Sequence, residues 1–317
     1  MITRPDATRI TVFIAIAFAI AWAGGLAVFL TGGLTHSPIL IPGTGMTLAV
    51  LILATVYMWA PAAAHVLTRL FTREGWRDLY LKPRWIDSWP YLCAAWFMPT
   101  LLTLAGGAVF FLLFPDRYDP TLQSATAILR QMGTTTGRAV PMTAGEFVAV
   151  QIASAAFLAP VINAIATFGE EFGWRAYLLP KLMAFGYRKA MVLMGVIWGV
   201  WHWPVIAMGH NYGVNYTGYP WMGMLAMVWF TFQIGILLGW ITLRCRTVWP
   251  AVFGHAAING VAAAPILFYY GPSTPLLGPA MTGIIGAIPV TILSMWLLWR
   301  PGGGLLGAVT EESTAAT

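Results

Sequence analysis

The chain has 317 residues, of which 59% are hydrophobic and only 9% are charged, and its mean hydropathy is +0.74. A soluble domain has about 25% charged residues, so this composition excludes an ordinary soluble protein and predicts one that crosses a membrane several times. The net charge of +6 does not indicate nucleic-acid binding, because the basic residues lie in short loops between apolar segments.

The apolar segments predict an all-α fold. A membrane-spanning helix needs about 20 mostly apolar residues. The fourth predicted span is longer than the others, so we expect it to be tilted or broken. Arg4 and Arg9 precede the first span, but its apolar run is too long for a signal peptide, and we expect a retained anchor. The predicted spans, about eight in number, are 10–30, 44–66, 89–114, 147–180, 190–208, 221–241, 250–270 and 280–299.

The positions of Lys and Arg predict the orientation. One set of loops contains only Arg117, Arg130 and Arg138, whereas the alternate loops contain most of the other basic residues. Because cytoplasmic loops are rich in Lys and Arg, both termini are predicted to be cytoplasmic. We therefore expect a single membrane domain over residues 1–300, in the cell membrane of a bacterium or archaeon. The small-residue tail, 301–317, is predicted to be disordered.

A few ionisable groups remain at membrane depth, where a charge costs at least about 2.5–3.5 kcal/mol and usually has both a function and a partner. At about 1.5 Å per residue, one glutamate, two histidines and an asparagine lie about 13–20 Å from the cytoplasmic ends of their helices. We therefore predict that they share one pocket. His65, near the end of the second span, is interpreted as an interfacial residue. The residues predicted to meet are Glu170, His202, His255 and Asn259.

The two adjacent glutamates are predicted to have different roles. Glu171 and Arg175 are four residues apart on one helix face and can form an ion pair. Glu170 is rotated by about 100° from Glu171 and need not share that arginine. The sequence therefore predicts one structural carboxylate and one that is free to face a cavity as a general base.

Three short motifs resemble those of a known family: EEFGWR from Glu170, WGVWH ending at His202, and HAAIN from His255 to Asn259. In this order, on successive membrane helices, they resemble the CPBP family of intramembrane proteases. That family includes the type II CAAX prenyl endopeptidases and bacterial homologues linked to bacteriocin self-immunity. The resemblance covers roughly residues 147–270, the expected catalytic core. Phenylalanine is usual where this chain has Trp198, a difference that we expect to affect packing more than chemistry.

The resemblance implies an intramembrane endopeptidase that uses a glutamate and no cofactor. Its substrate would be a membrane-associated peptide or lipidated protein, and a prenylated CAAX substrate is implied by the family alone. Glu170 would activate a water molecule that His202 helps to hold or deprotonate. His255 and Asn259 would donate hydrogen bonds to the oxyanion of the tetrahedral intermediate. The implied supporting residues are Glu171 and Arg175.

Two other functions remain open. Glu170, His202 and His255 could form a zinc site with two histidines, one carboxylate and an open position, although no HEXXH motif is present. Intramembrane acids and histidines also form proton relays, so a transporter or a non-enzymatic immunity scaffold is the second alternative. Each motif taken alone also has a purely structural interpretation, such as a helix-end ion pair or a hydrogen bond between helices.

Overall fold

The computed structural model describes residues 4–272 and 274–300, and the predicted tail over 301–317 lies outside them. The regular structure of the described chain is almost all helical, with one short antiparallel pair of strands. The elements in chain order are α1 (Arg4–Leu30), β1 (Ile39–Ile41), β2 (Met46–Thr47), α2 (Leu48–Ile52), α3 (Ala60–Phe71), α4 (Trp85–Leu113), α5 (Gln123–Thr136), α6 (Ala144–Ala153), α7 (Ala159–Ile162), α8 (Ala164–Gly173), α9 (Leu179–Leu182), α10 (Tyr187–Trp201), α11 (Trp203–Ile206), α12 (Trp221–Cys245), α13 (Trp249–Val261) and α14 (Ile288–Trp299).

Within the described residues, six helical segments are long and apolar enough to cross a membrane. They support an integral membrane protein. The fifth and eighth predicted spans correspond to α10, with 15 residues, and α14, with 12 residues, which are shorter than a typical span. The count of eight and the cytoplasmic termini therefore stay predictions. The six segments are Asp6–Leu30, Leu48–Phe71, Trp85–Leu113, Ala144–Ile162, Trp221–Cys245 and Trp249–Phe268.

The fourth predicted span is broken rather than continuous. Its first part ends at Ile162, and a turn at Asn163 leads into α8, which carries both glutamates. The Asn163 amide donates to the carbonyl oxygen of Ala256 on α13 at 3.2 Å, so the break is tied to a neighbouring helix.

Three π-helical segments each come shortly before a proline. They cover Leu53–Tyr57, Ser154–Leu158 and Trp174–Leu178, and they precede Pro61, Pro160 and Pro180 in that order. Proline lacks the N–H that would donate to the carbonyl four residues earlier, and its ring clashes with that carbonyl. A widened turn before the proline relieves the clash.

Pro160 shows how the freed carbonyl is satisfied. Four residues before it, the Ala156 carbonyl oxygen accepts a hydrogen bond from the Trp96 indole on α4 at 2.9 Å. A buried carbonyl without a partner costs about 1–3 kcal/mol, so this indole stabilises the irregular turn and joins α4 to it.

Close packing through glycines positions α10 against α12. A Cβ atom added to Gly195 would lie 2.4 Å from the Phe232 Cα, and one added to Gly199 would lie 2.5 Å from the Val228 Cα. The Thr231 hydroxyl also donates to the Gly195 carbonyl oxygen at 3.0 Å. Because the two backbones are this close, α10 can bring the WGVWH motif deep into the bundle.

Two glycines also bring α8 against the start of α3. A Cβ at Gly169 would lie 2.6 Å from the Met58 carbonyl oxygen, and one at Gly173 would lie 2.4 Å from the Pro61 backbone. These glycines flank the two glutamates in the sequence FGEEFG, so the helix that carries both carboxylates is held by backbone contact with α3.

Replacing Gly173 by alanine is expected to destabilise the protein by about 1–3 kcal/mol or more, because the new methyl group overlaps the Pro61 backbone. Turnover of any substrate should fall with it, since α8 must move away from α3. Thermal unfolding in detergent measures the first effect. Gly145→Ala is the matched control, because a Cβ there has no neighbour within 4 Å. Equal unfolding temperatures for the two variants would contradict this account.

The interpretation of His65 as an interfacial residue is wrong. His65 is fully buried, and its ring packs against the rings of Phe172 and Tyr177. Its Nδ1 donates to the Phe172 carbonyl oxygen at 2.9 Å, and its Nε2 accepts from Arg69 Nε at 2.7 Å. His65 thus connects α3 to the helix that carries the glutamates.

Glu74 joins three parts of the bundle in the loop after α3. Its carboxylate accepts from the Lys181 ammonium at 2.6 Å and from the Tyr177 hydroxyl at 2.7 Å, and it lies 3.4 Å from Arg9 on α1. Burial alone would raise the pKa of Glu74, but the hydrogen bonds from Lys181 and Tyr177 outweigh burial and lower it below its ordinary value.

Candidate active site

The structure brings the four predicted catalytic residues to one cavity of about 360 Å³. Its walls come from the second predicted span, α8, α10, α12 and α13, and most of them are apolar. The predicted meeting of three separate motifs is thus present in the fold, although the chemical roles of the residues stay predictions. The four residues are Glu170, His202, His255 and Asn259.

Glu170 is buried, and one of its two carboxylate oxygens is occupied. Oε2 accepts a hydrogen bond from the Trp198 indole Nε1 at 2.7 Å. Among the described residues, no group donates a hydrogen bond to Oε1. Oε1 is also not fully enclosed by the protein. The carboxylate therefore has one oxygen fixed by the protein and one that can accept a hydrogen bond from a molecule in the cavity.

Glu171 is fully buried and points to a different set of partners. Its Oε1 accepts from Arg175 Nη1 at 2.8 Å and from His255 Nδ1 at 2.8 Å. The ion pair with Arg175 is the one that the spacing of four residues predicted. Glu171 also reaches across to α13, which the sequence did not predict. One carboxylate oxygen therefore accepts hydrogen bonds from both a guanidinium and an imidazole.

Within the described residues, Arg175 forms a salt bridge with Glu171 alone. Its guanidinium lies 4.0 Å from the centroid of the Trp198 ring, a cation–π contact, and its Nε and Nη2 atoms are buried without a hydrogen-bond partner. The arginine therefore depends on Glu171 for charge and on Trp198 for packing.

His202 lies where α10 ends, two residues before Pro204. Its backbone N–H donates to the Gly199 carbonyl oxygen at 3.1 Å, which is a tightened final turn. The Trp198 carbonyl oxygen accepts instead from the His202 ring Nδ1 at 2.8 Å. A carbonyl only accepts, so Nδ1 carries the proton, and in the neutral ring Nε2 keeps its lone pair.

His255 and Asn259 are one helical turn apart on α13. His255 Nδ1 must carry a proton, because its partner Glu171 Oε1 can only accept while it is ionised. Asn259 is exposed at the cavity, and no group among the described residues bonds its side chain. The asparagine amide and the His255 Nε2 are therefore both available to a molecule in the cavity.

Two side chains at this cavity were not predicted from the sequence. Trp198 was expected to affect packing, yet its indole binds Glu170. Tyr57 also lines the cavity, and its hydroxyl donates to the Trp201 carbonyl oxygen at 2.5 Å. Trp198 belongs to the WGVWH motif, which the sequence analysis did identify. Tyr57 belongs to no motif that the sequence singled out.

Two further findings concern other possible sites. A cavity of about 850 Å³, lined mainly by charged residues around Arg69 and Glu74, contains none of the predicted catalytic residues. Over residues 4–272 and 274–300, no group of three His, Cys, Asp or Glu side chains could hold a metal ion. The absence of a cofactor nevertheless stays a prediction.

Comparison with known proteins points to one family. Residues 151–261 match the family model for Rce1-like type II CAAX prenyl endopeptidases. A protein of Methanococcus maripaludis named CAAX prenyl protease 2 is 33% identical over 97 residues, which is 30% of this chain and 35% of the archaeal protein. The match therefore spans about a third of the length of that relative.

The matched range includes every residue that the sequence singled out for the site, from Glu170 to Asn259. The family predicted from the order of the three motifs is thus confirmed for this part of the chain. Over residues 151–261, the chain carries an Rce1-like domain of the type II CAAX prenyl endopeptidase family.

Proposed function

We propose that this protein is an intramembrane endopeptidase in which Glu170 activates the attacking water. The observation that carries the proposal is the single cavity lined by one partly free carboxylate, two imidazoles and a free amide. Hydrolysis of an amide needs a base for the water and donors aimed at the developing oxyanion, and this set contains both.

The first step uses the free oxygen of Glu170. A water molecule between Glu170 Oε1 and His202 Nε2 would give one proton to the carboxylate while its oxygen attacks the scissile carbonyl carbon. The second hydrogen of the water would donate to the lone pair of His202 Nε2. The proton held by Glu170 then passes to the leaving amine as the carbon–nitrogen bond breaks, and the carboxylate is restored.

The oxyanion would accept hydrogen bonds from Asn259 and from His255. Because His255 Nδ1 already donates to Glu171, the ring can donate from Nε2 only when both nitrogens carry protons. In this proposal His255 therefore acts as an imidazolium that the buried Glu171 carboxylate stabilises. One oxyanion donor is typically worth about 2.7–4 kcal/mol.

The cavity also supports a hydrophobic substrate. Its walls include Leu53, Met227, Phe230 and Ile234, and it lies within a bundle that contains six helices suited to a membrane. We infer that the substrate is a membrane-associated peptide or lipidated protein. The name of the archaeal relative favours a prenylated CAAX end, which would enter from the cytoplasmic side.

Cleavage assays with the purified protein test the proposal. We expect hydrolysis of a farnesylated CAAX peptide, with slower hydrolysis of the same peptide without its lipid, and the same rates after treatment with a strong chelator. Product masses identify the cleaved bond. The chelator arm separates the glutamate mechanism from the zinc peptidase alternative.

Three outcomes are informative. Loss of activity in chelator, with recovery on adding zinc, would favour the metal site. Equal cleavage of both peptides would retain the peptidase and remove the prenyl specificity. Tight binding of peptide without hydrolysis by a folded protein would support the non-enzymatic scaffold instead.

A further inference from the structure

Trp198 contacts four groups of the candidate site at once. Its indole N–H donates to Glu170, and the Arg175 guanidinium lies 4.0 Å from its ring centroid. Its ring meets the His255 ring edge to face with centroids 5.3 Å apart, and its carbonyl oxygen accepts from the His202 ring. Among the described contacts, Trp198 thus joins the predicted base to both predicted histidines.

We propose that Trp198 is a positioning residue that fixes the Glu170 carboxylate through its indole N–H, so that one oxygen is held and the other faces the attacking water. This inference rests on the proposed function and adds a residue to it. Phenylalanine, which is usual at this position in the resembling family, could fill the same space but could not donate a hydrogen bond.

Burial of a tryptophan in this bundle does not require a hydrogen bond from its indole N–H. Trp174 and Trp201 are fully buried nearby, and the Nε1 atom of each has no hydrogen-bond partner. The fold therefore accepts buried indoles that donate to nothing. At Trp198, the N–H is 2.7 Å from the one carboxylate that lines the cavity.

The geometry explains how the tryptophan would act. Arg175 lies on one face of the ring and His255 meets it edge to face, so the direction of the N–H is fixed. A hydrogen bond to a carboxylate favours its ionised form and restricts its rotation. Without that bond, the buried Glu170 would bind a proton more readily and would leave its productive orientation.

The test compares Trp198→Phe with Trp174→Phe, which removes an equally buried indole that donates to nothing. We expect Trp198→Phe to lower kcat about 10- to 100-fold with little change in KM, as for a lost hydrogen bond to a charged group. The acidic limb of its pH–rate profile should move upward by about one to two pH units. Trp174→Phe should change neither.

A second measurement does not need turnover. Infrared titration follows the protonated carboxyl of Glu170, whose band is assigned by its loss in Glu170→Gln. In Trp198→Phe that band should appear at higher pH than in the wild type or in Trp174→Phe. If the wild type cleaves no peptide, the proposed function fails, while this titration still decides whether the indole acts on the carboxylate.

A third variant covers the case in which Trp198→Phe does not fold. Replacing the indole by benzothiophene keeps the shape of the ring and changes the N–H to sulfur. The same losses in this variant would support the hydrogen bond. An unchanged pH–rate profile and an unchanged infrared titration in a folded variant would overturn the proposal.

Discussion

Replacing Glu170 by glutamine is expected to lower turnover about 10²- to 10⁴-fold while the protein stays folded. The glutamine carbonyl can still accept the bond from Trp198, so the packing around the side chain is kept. What is lost is the second oxygen that would accept a proton from water, because an amide nitrogen donates. Rates of peptide hydrolysis measure the effect, and thermal unfolding in detergent shows that the fold is kept.

Glu146→Gln is the matched control for this substitution. Glu146 caps the start of α6, away from the cavity, and glutamine also serves in such a capping box. We expect its turnover to equal that of the wild type. A folded Glu170→Gln protein that still hydrolyses peptide at the wild-type rate would contradict the proposed role of Glu170 as the base.

The sequence predicted the residues of the site better than it predicted their contacts. Ionisable groups are so costly in a membrane that the few present, such as Glu170 and His255, are conspicuous. Their helical spacing then predicts the Glu171–Arg175 pair. Which way an indole or imidazole points depends on tertiary packing, so the contact between Trp198 and Glu170 could not be read from the sequence.

In the fold, too, the sequence predicted the elements better than the contacts between them. Long apolar segments such as α12 are evident from composition, and the length of the fourth span predicted that it would be tilted or broken. His65 looked interfacial because it lies near the end of a span. Its burial comes from packing against Phe172 and Tyr177, tertiary contacts that no hydrophobic period indicates. The π-helical turns follow from prolines only once each helix is known to continue past them.

Replacing Glu171 by glutamine is expected to destabilise the protein by about 3–5 kcal/mol, a larger loss of stability than for the other substitutions considered. The reason is Arg175, which is fully buried and would keep its charge without a counterion. Turnover should also fall, because His255 loses the carboxylate that stabilises its protonated ring. Unfolding in detergent and peptide hydrolysis measure the two effects separately.

A double variant separates the effect of Glu171 on stability from its effect on turnover. Glu171→Gln with Arg175→Met removes both buried charges, and such replacements are often neutral for stability. We therefore expect the double variant to regain most of the stability that the single variant loses. Its turnover should stay low, since the His255 imidazolium still lacks its carboxylate partner.

Arg175→Met alone completes the comparison. This variant keeps the bond between Glu171 and His255, so the protonated ring can still neutralise the buried carboxylate. Its turnover should exceed that of the double variant by about 10-fold or more, the size expected for one hydrogen bond to a charged group. Equal rates for these two variants would mean that Glu171 only braces the fold, and that His255 acts without help from its carboxylate.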